Sequence, residues 1–349
     1  MTIRRLALAG LVAAAVAGCA PVVIPAGPPV TTPVLRDDRL VAADGAALPV
    51  RSWLPDEGPP AAVVIALHGF NDYGRFFADA GRFLAARGVA SYAYDQRGFG
   101  AAPHPGRWPG AETLTADLAA AVAAVRGRHP GVPLFLLGES MGGAVILVAM
   151  AGADPPAVDG VILAAPAVWG RATMPWYQTA ALWVAAHSLP WLPVSGRGLK
   201  IAPSDNVEML RALGRDPLVI KETRVDAVWG LVDLMDAALA AGERLDAPAL
   251  ILYGERDQLI PPEPLRLLLA RLPEEGRDRL RIALYAQGYH MLLRDLQAET
   301  VWADIAAWIA DPAAPLPSRA DRHAAESGAC PSRTVCAIVP WRRTRSSAG

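Results

Sequence analysis

The chain has 349 residues, enough for one large α/β domain with an insertion or for two ordinary domains, and 53% of it is hydrophobic, which excludes global disorder. A formal charge of −1 gives no electrostatic case for binding nucleic acid or for bulk attraction to anionic membrane. There is no zinc-type Cys/His spacing, no Walker loop and no G-x-G-x-x-G after a strand, so neither a metal nor a nucleotide cofactor is expected.

At the N-terminus, Arg4 and Arg5 precede an apolar run over residues 6–17. Such a run is too short to span a bilayer, which takes about 20 residues, but it suits the core of a signal peptide. It ends Val16-Ala17-Gly18-Cys19, which resembles the lipobox of a bacterial lipoprotein. That reading makes residues 1–18 a signal peptide and Cys19 the lipidated new N-terminus, a membrane anchor. Ala15-Val16-Ala17 is also a small-x-small cleavage site, so an ordinary secretory signal competes; lipidation is preferred because Cys19 is otherwise an idle thiol in an exported chain. Both readings export the protein. By the same resemblance, Ala20 in place of aspartate points to the outer membrane, facing the periplasm. Residues 19–34, rich in proline, are expected to form an extended tether.

The body is expected over residues 35–310. Residues 40–42 and 48–53, around Asp44-Gly45, predict a β-hairpin. Residues 61–67 form a continuous apolar run, the mark of a strand buried on both faces, and lead into His68-Gly69-Phe70-Asn71. A helical pattern from Phe76 to Arg87 stops at Gly88, and a strand over 89–94 enters Asp95-Gln96-Arg97-Gly98-Phe99-Gly100. A helix over 112–126 is followed by an apolar strand from Leu134 that runs into Gly138-Glu139-Ser140-Met141-Gly142, with an apolar helix behind it. Further strands are predicted at 158–165, 249–253 and 280–284, and a helix at 297–310. Strands alternating with helices define an α/β fold: a mostly parallel, eight-stranded sheet with helices on both faces.

The alternation breaks once. Residues 169–246 read as several helices, including 176–188 and 224–241, without a convincing strand, and form a helical cap inserted after strand six. Five of the ten tryptophans lie there: Trp169, Trp176, Trp183, Trp191 and Trp229. Most are expected to fill the cap's own small core, yet an aromatic cap above a serine also suits an apolar substrate tunnel. Residues 311–349 lose all periodicity and are expected to be a disordered tail, in which Cys330 and Cys336 could pair outside the cytoplasm.

A strand that reverses into a helix within a few residues strains its turn residue and needs nearly side-chain-free neighbours. Gly138 and Gly142 fit that need, leaving the Ser140 hydroxyl exposed above the sheet and the Met141 N–H directed at a nucleophile's target. Hydroxyl attack on an ester or amide carbonyl needs a base oriented by a carboxylate. Of six histidines, His290 in Gly288-Tyr289-His290-Met291 follows a strand, as does Asp257 in Gly254-Glu255-Arg256-Asp257. Parallel strands present their C-terminal ends on one rim, where three residues distant in sequence can meet. Glu255 is the nearest rival acid and Asp295 a remoter one. The second oxyanion donor is expected at the Phe70 N–H, with His68 holding that loop rather than acting as a base.

These motifs, His68-Gly69-Phe70, Asp95-x-Arg97-Gly98-x-Gly100, Gly138-Glu139-Ser140-Met141-Gly142-Gly143, Gly254-x-x-Asp257 and Gly288-Tyr289-His290, resemble the monoacylglycerol lipase and lysophospholipase-like, serine aminopeptidase S33-type branch of the α/β-hydrolases. The order Ser140, Asp257, His290 is that superfamily's order. Two positions depart from the branch: Glu139 stands where these lipases usually carry histidine, and Asn71-Asp72 replaces their usual residues after the oxyanion turn. The resemblance implies a serine hydrolase of small lipid-like esters, such as monoacylglycerols or lysophospholipids, working through an acyl-enzyme without a cofactor. A thioesterase or aminopeptidase could share the triad. The alternative from another class is a non-catalytic lipoprotein that binds apolar ligands.

Overall fold

The fold is described by a computed structural model over residues 20–196, 198 and 200–326. Cys19, the signal peptide expected before it, and Cys330 and Cys336 lie outside the described residues.

The chain opens with β1 (Val34–Leu35), β2 (Arg39–Val41) and β3 (Ala47–Trp53), an antiparallel ribbon. It continues through β4 (Ala62–Leu67), α1 (Ala78–Ala85), β5 (Val89–Tyr94), α2 (Ala111–Arg128), β6 (Leu134–Glu139), α3 (Met141–Met150) and β7 (Gly160–Ala164). The cap follows, with α4 (Trp176–Ser188), β8 (Pro193–Val194), α5 (Val207–Arg215), β9 (Thr223–Arg224) and α6 (Val225–Ala241). Then come β10 (Ala249–Gly254), α7 (Pro262–Arg271), β11 (Leu280–Tyr285), α8 (Ala298–Ala310) and α9 (Ala320–Glu326). Nine strands form one sheet in the order β1-β2-β3-β5-β4-β6-β7-β10-β11, parallel from β5 to β11.

The apolar runs become strands because a parallel sheet covered on both faces buries every side chain, and β4 to β7 and β10 are buried throughout. The two-residue period divides them between two cores. Val63, Ile65, Leu67, Leu134 and Leu136 enter one, whereas Ala62, Val64, Ala66, Phe135 and Leu137 enter the other. In the second core Trp308 of α8 lies edge-on to Phe135, ring centroids 5.7 Å apart. The Asp95-x-Arg97 motif is structural. Arg97 forks onto Asp117 (2.8 and 2.9 Å) and onto Asp44 at the hairpin turn (2.7 and 2.8 Å), and Asp95 receives Arg51 at 2.6 Å.

Four expectations are corrected. The sheet has nine strands rather than eight, because Val34–Leu35 pairs with Leu40 and Val41 at the edge. The Pro-rich stretch from residue 20 is not a free tether. Proline keeps it extended, and several of its N–H groups find acceptors on the body: Ile24 on the Trp108 carbonyl (2.8 Å), Ala26 on Thr113 Oγ1 (3.1 Å), Gly27 on Asp44 Oδ2 (2.9 Å) and Val30 on the Ala43 carbonyl (2.8 Å). Residues 311–326, expected in the disordered tail, are part of the body. Leu316, Ala320 and Ala324 are buried, and Asp321 pairs with Arg281 of β11 at 2.7 Å. Within the cap, β8 and β9 form a small ribbon, and Trp176, Trp183 and Trp191 are 81%, 53% and 50% exposed instead of filling a core.

Candidate active site

Ser140 directly follows β6 with φ +53° and ψ −114°, a strained left-handed conformation for a residue with a side chain. The turn is possible because its neighbours lack side chains: a Cβ on Gly138 would lie 2.4 Å from backbone atoms of Gly142 and Gly143, and one on Gly142 would lie 2.3 Å from the Leu67 carbonyl oxygen. Met141 begins α3, so its N–H has no partner within the helix. Across the turn, a Cβ on Gly69 would lie 3.3 Å from the Ser140 Cβ, which sets the Phe70 loop beside the serine. Phe70 is held edge-on to Phe99 at 5.5 Å and tilted toward Trp108 at 6.4 Å. His68 is buried, donates from Nδ1 to the Gly69 carbonyl (2.8 Å) and accepts at Nε2 from the Gln96 N–H (2.9 Å). Burial pushes its imidazole below the ordinary value, so it is a neutral strut for the loop.

The strands β10 and β11 end side by side, where a Cβ on Gly254 would lie 2.4 Å from the Gly288 carbonyl. From these ends Asp257 Oδ2 and His290 Nδ1 meet at 2.7 Å, both buried. The other carboxylate oxygen, Oδ1, accepts the Leu259 and Ile260 N–H groups at 2.8 and 2.9 Å. The two rival acids are engaged elsewhere: Glu255 faces His323 at 2.9 Å, and Asp295 accepts from the Tyr289 N–H at 2.7 Å and the Ser204 hydroxyl at 2.5 Å. Burial works against the His290 imidazolium, but the hydrogen bond and charge of Asp257, and then the charge of Glu139, outweigh it and raise the pKa above the ordinary imidazole value. Burial lifts Asp295 to about 6 against the pull of Ser204 and the Tyr289 N–H.

The elbow and the histidine loop share the rim, because Glu139, next to Ser140, accepts from Arg294, four residues past His290, at 2.8 Å. Among the described residues no hydrogen bond closes Ser140 onto His290, and no group of three His, Cys, Asp or Glu is placed to hold a metal. The second Arg294 nitrogen reaches Asp72 at 2.7 Å. Sequence reasoning gave this trio no role, although its signal was present. An acidic residue in an apolar strand end and a charge just past the histidine each require a partner once buried.

The cap is fastened to the loops that carry His290 and Phe70 through α5, which has no fully buried residue. Before α5, the Pro203 carbonyl accepts the Met291 N–H (3.0 Å), Asn206 donates to the Arg294 carbonyl (3.0 Å) and Asp205 accepts the Leu296 N–H (2.9 Å). After α5, Asp216 accepts the Tyr73 hydroxyl (2.6 Å), the Ile220 N–H reaches the Asn71 carbonyl (2.9 Å) and Asn71 donates to Thr223 (2.6 Å). Along α4, Trp176 and Trp183 border an open groove of about 540 Å³ lined mainly by apolar side chains.

A mostly parallel sheet, a serine on a strained strand-to-helix turn and an Asp–His pair at the following strand ends define an α/β-hydrolase. A family model described as serine aminopeptidase, S33, matches residues 58–297, and the chain belongs to that family. Relatives agree with it. A monoacylglycerol lipase of Mycolicibacterium smegmatis is 31% identical over 269 residues, covering 74% of this chain and 90% of the relative. The human monoglyceride lipase is 26% identical over 278 residues, 78% and 89% of the two chains. Among solved structures, the Paleococcus ferrophilus monoacylglycerol lipase superposes with a TM-score of 0.63 at 25% identity, covering 75% of this chain and 98% of that one. The Saccharomyces cerevisiae monoglyceride lipase gives 0.65 at 21% identity over 83% and 97%, a likeness of fold. The protein is a hydrolase acting on esters.

Proposed function

We propose that the protein hydrolyses carboxylic esters of lipid-like substrates, monoacylglycerols or lysophospholipids, through an acyl-enzyme on Ser140. The observation that carries this reading is the buried Asp257–His290 pair, closed at 2.7 Å, on the same rim as the strained Ser140 turn. In the reaction His290 Nε2 takes the Ser140 proton as Oγ attacks the ester carbonyl, and the developing oxyanion is met by the N–H groups of Met141 and Phe70. The C–O bond breaks as the leaving alkoxide takes the proton from His290. Water, deprotonated by the same ring, then adds to the acyl-enzyme carbonyl, and the acyl–Oγ bond breaks as Ser140 Oγ takes that proton back and the fatty acid leaves. Asp257 keeps the Nδ1 proton in place and stabilises the imidazolium. The lipases among its relatives and the apolar face of the cap support a lipid-like acyl chain.

The protein is further proposed to be exported and held on the outer membrane by lipid on Cys19. The first stitch to the body, at Val23 and Ile24, then lies only a few residues from the anchor. A fluorophosphonate probe tests the core of the reading: the wild type should label and Ser140→Ala should not, while keeping its fold. Labelling that survives Ser140→Ala removes the serine from its role. A panel of lipid esters, a thioester and an aminoacyl amide, run on protein lacking the first nineteen residues, then ranks the substrate classes.

A further inference from the structure

Three loops build the candidate site, and each contributes one charged side chain to a common buried point. Asp72 comes from the loop after β4, two residues past Phe70; Glu139 comes from the elbow, next to Ser140; Arg294 comes from the loop after β11, four residues past His290. All are buried, at 5%, 2% and 9% exposure. Arg294 spans the other two, Nη1 to Asp72 at 2.7 Å and Nη2 to Glu139 at 2.8 Å, with its guanidinium 5.8 Å from the Phe76 ring. The arrangement is a poor device for stability. Burying three charges is costly, Glu139 Oε2 and Arg294 Nε have no hydrogen-bond partner, and Asp72 Oδ2 meets Arg294 as an ion pair without hydrogen-bond geometry. Apolar side chains would join three loops with less strain on solvation, so the charges call for another role.

Resting on the hydrolase reading above, we propose that Asp72, Glu139 and Arg294 form a positioning triad that locks the oxyanion loop, the elbow and the histidine loop in register and sets the charge felt by His290. Arg294 suits the register role because its planar fork can hold two carboxylates at once, which a lysine ammonium cannot do with the same geometry. The charge role follows from what surrounds the imidazole. Asp257 faces it from the loop after β10, Glu139 from the elbow, and Arg294 from its own loop. Asp72 and Glu139 face Arg294, His68 lies near Asp72 and Arg294, and Asp295 lies near Glu139. The Glu139 carboxylate, whose charge raises the His290 pKa against the opposing Arg294 guanidinium, favours the imidazolium formed as Ser140 gives up its proton.

The test is the pH dependence of the second-order rate of fluorophosphonate labelling, which needs no knowledge of the natural substrate, with thermal melts run alongside. Glu139→Gln should move the acid limb to lower pH by about half a unit or more, and Glu139→Asp, which restores the charge, should bring it back toward the wild-type position. Arg294→Lys should keep the limb but lower the plateau rate about tenfold, since the loops lose their shared fork. An unmoved limb in Glu139→Gln, or an undiminished plateau in folded Arg294→Lys, overturns the proposal. If Arg294→Lys does not fold, Glu139→Gln against Glu139→Asp decides alone. A wild-type protein that labels at Ser140 while the variants behave as wild type sinks the triad and leaves the hydrolase standing. A wild type that does not label sinks both.

Discussion

Replacing Asp257 by asparagine isolates the orienting role of the carboxylate, because the structure dictates which way the new amide must face. Oδ1 of Asp257 accepts the Leu259 and Ile260 N–H groups at 2.8 and 2.9 Å, while Oδ2 meets His290 Nδ1 at 2.7 Å. An asparagine has a single oxygen, and two backbone donors claim it. Its NH₂ group must therefore point at Nδ1, which has to become an acceptor. The ring proton then moves to Nε2, the atom that should receive the Ser140 proton, and the base is blocked. A wrong tautomer of this kind lowers kcat by about 10⁴, or ~5 kcal/mol of transition-state stabilisation. Folding should suffer far less, because the two loop hydrogen bonds survive and a net hydrogen bond is worth only ~1 kcal/mol. Hydrolysis of a short p-nitrophenyl ester, paired with a denaturant melt, separates the two effects. Glu255→Gln is the control and should retain activity, since Glu255 pairs with His323 instead. If Asp257→Asn keeps a tenth or more of the wild-type kcat, the orientation account is wrong.

Other consequences can be checked directly. In the proposed mechanism the neutral imidazole is the base, so activity should be low below the His290 pKa and level above it, and the midpoint should lie above the ordinary ~6.5 because Asp257 and Glu139 outweigh burial. The raised pKa adds stability that is fully present below the unfolded-state value and lost as pH rises through the folded-state value, so the enzyme works where this contribution has gone; an acid limb below 6.5 would contradict it. Gly142→Ala would place a methyl carbon 2.3 Å from the Leu67 carbonyl oxygen and force the elbow apart, with an expected loss of ~1–3 kcal/mol in urea unfolding and slower probe labelling. An unchanged midpoint would refute the crowding. Cys19→Ser should move the protein from the membrane fraction to the soluble one, and an unaltered distribution would remove the lipid anchor.

The parallel body could be read from the sequence because strands buried on both faces leave unbroken apolar runs, such as Val63 to Leu67 and Leu134 to Leu137. The elbow could be read because its steric demand falls on the identity of two residues, Gly138 and Gly142. Where a partner is distant and its type is not dictated, that legibility ended. Nothing local announces that Arg294 will find Glu139, or that the N–H of Ile24 will pair with the carbonyl of Trp108. The end of the body was misplaced for a related reason. Residues 311–319 lack periodicity, yet a single buried Leu316 and the Asp321–Arg281 pair secure that segment and the short α9. The cap tryptophans misled in the opposite direction, since large apolar residues usually signal a core and Trp176 faces outward at 81% exposure.

The helix α5 has a consequence of its own. Its nine residues, about 13 Å long, bridge the loop that carries the imidazole and the loop that carries the Phe70 amide, with hydrogen bonds at each end. Its outward side chains touch little and can drift with slight effect. Its residue count cannot, because one insertion or deletion rotates one mooring by about 100° relative to the other and pulls two halves of the chemistry out of step. Such a segment is free in spelling and fixed in length.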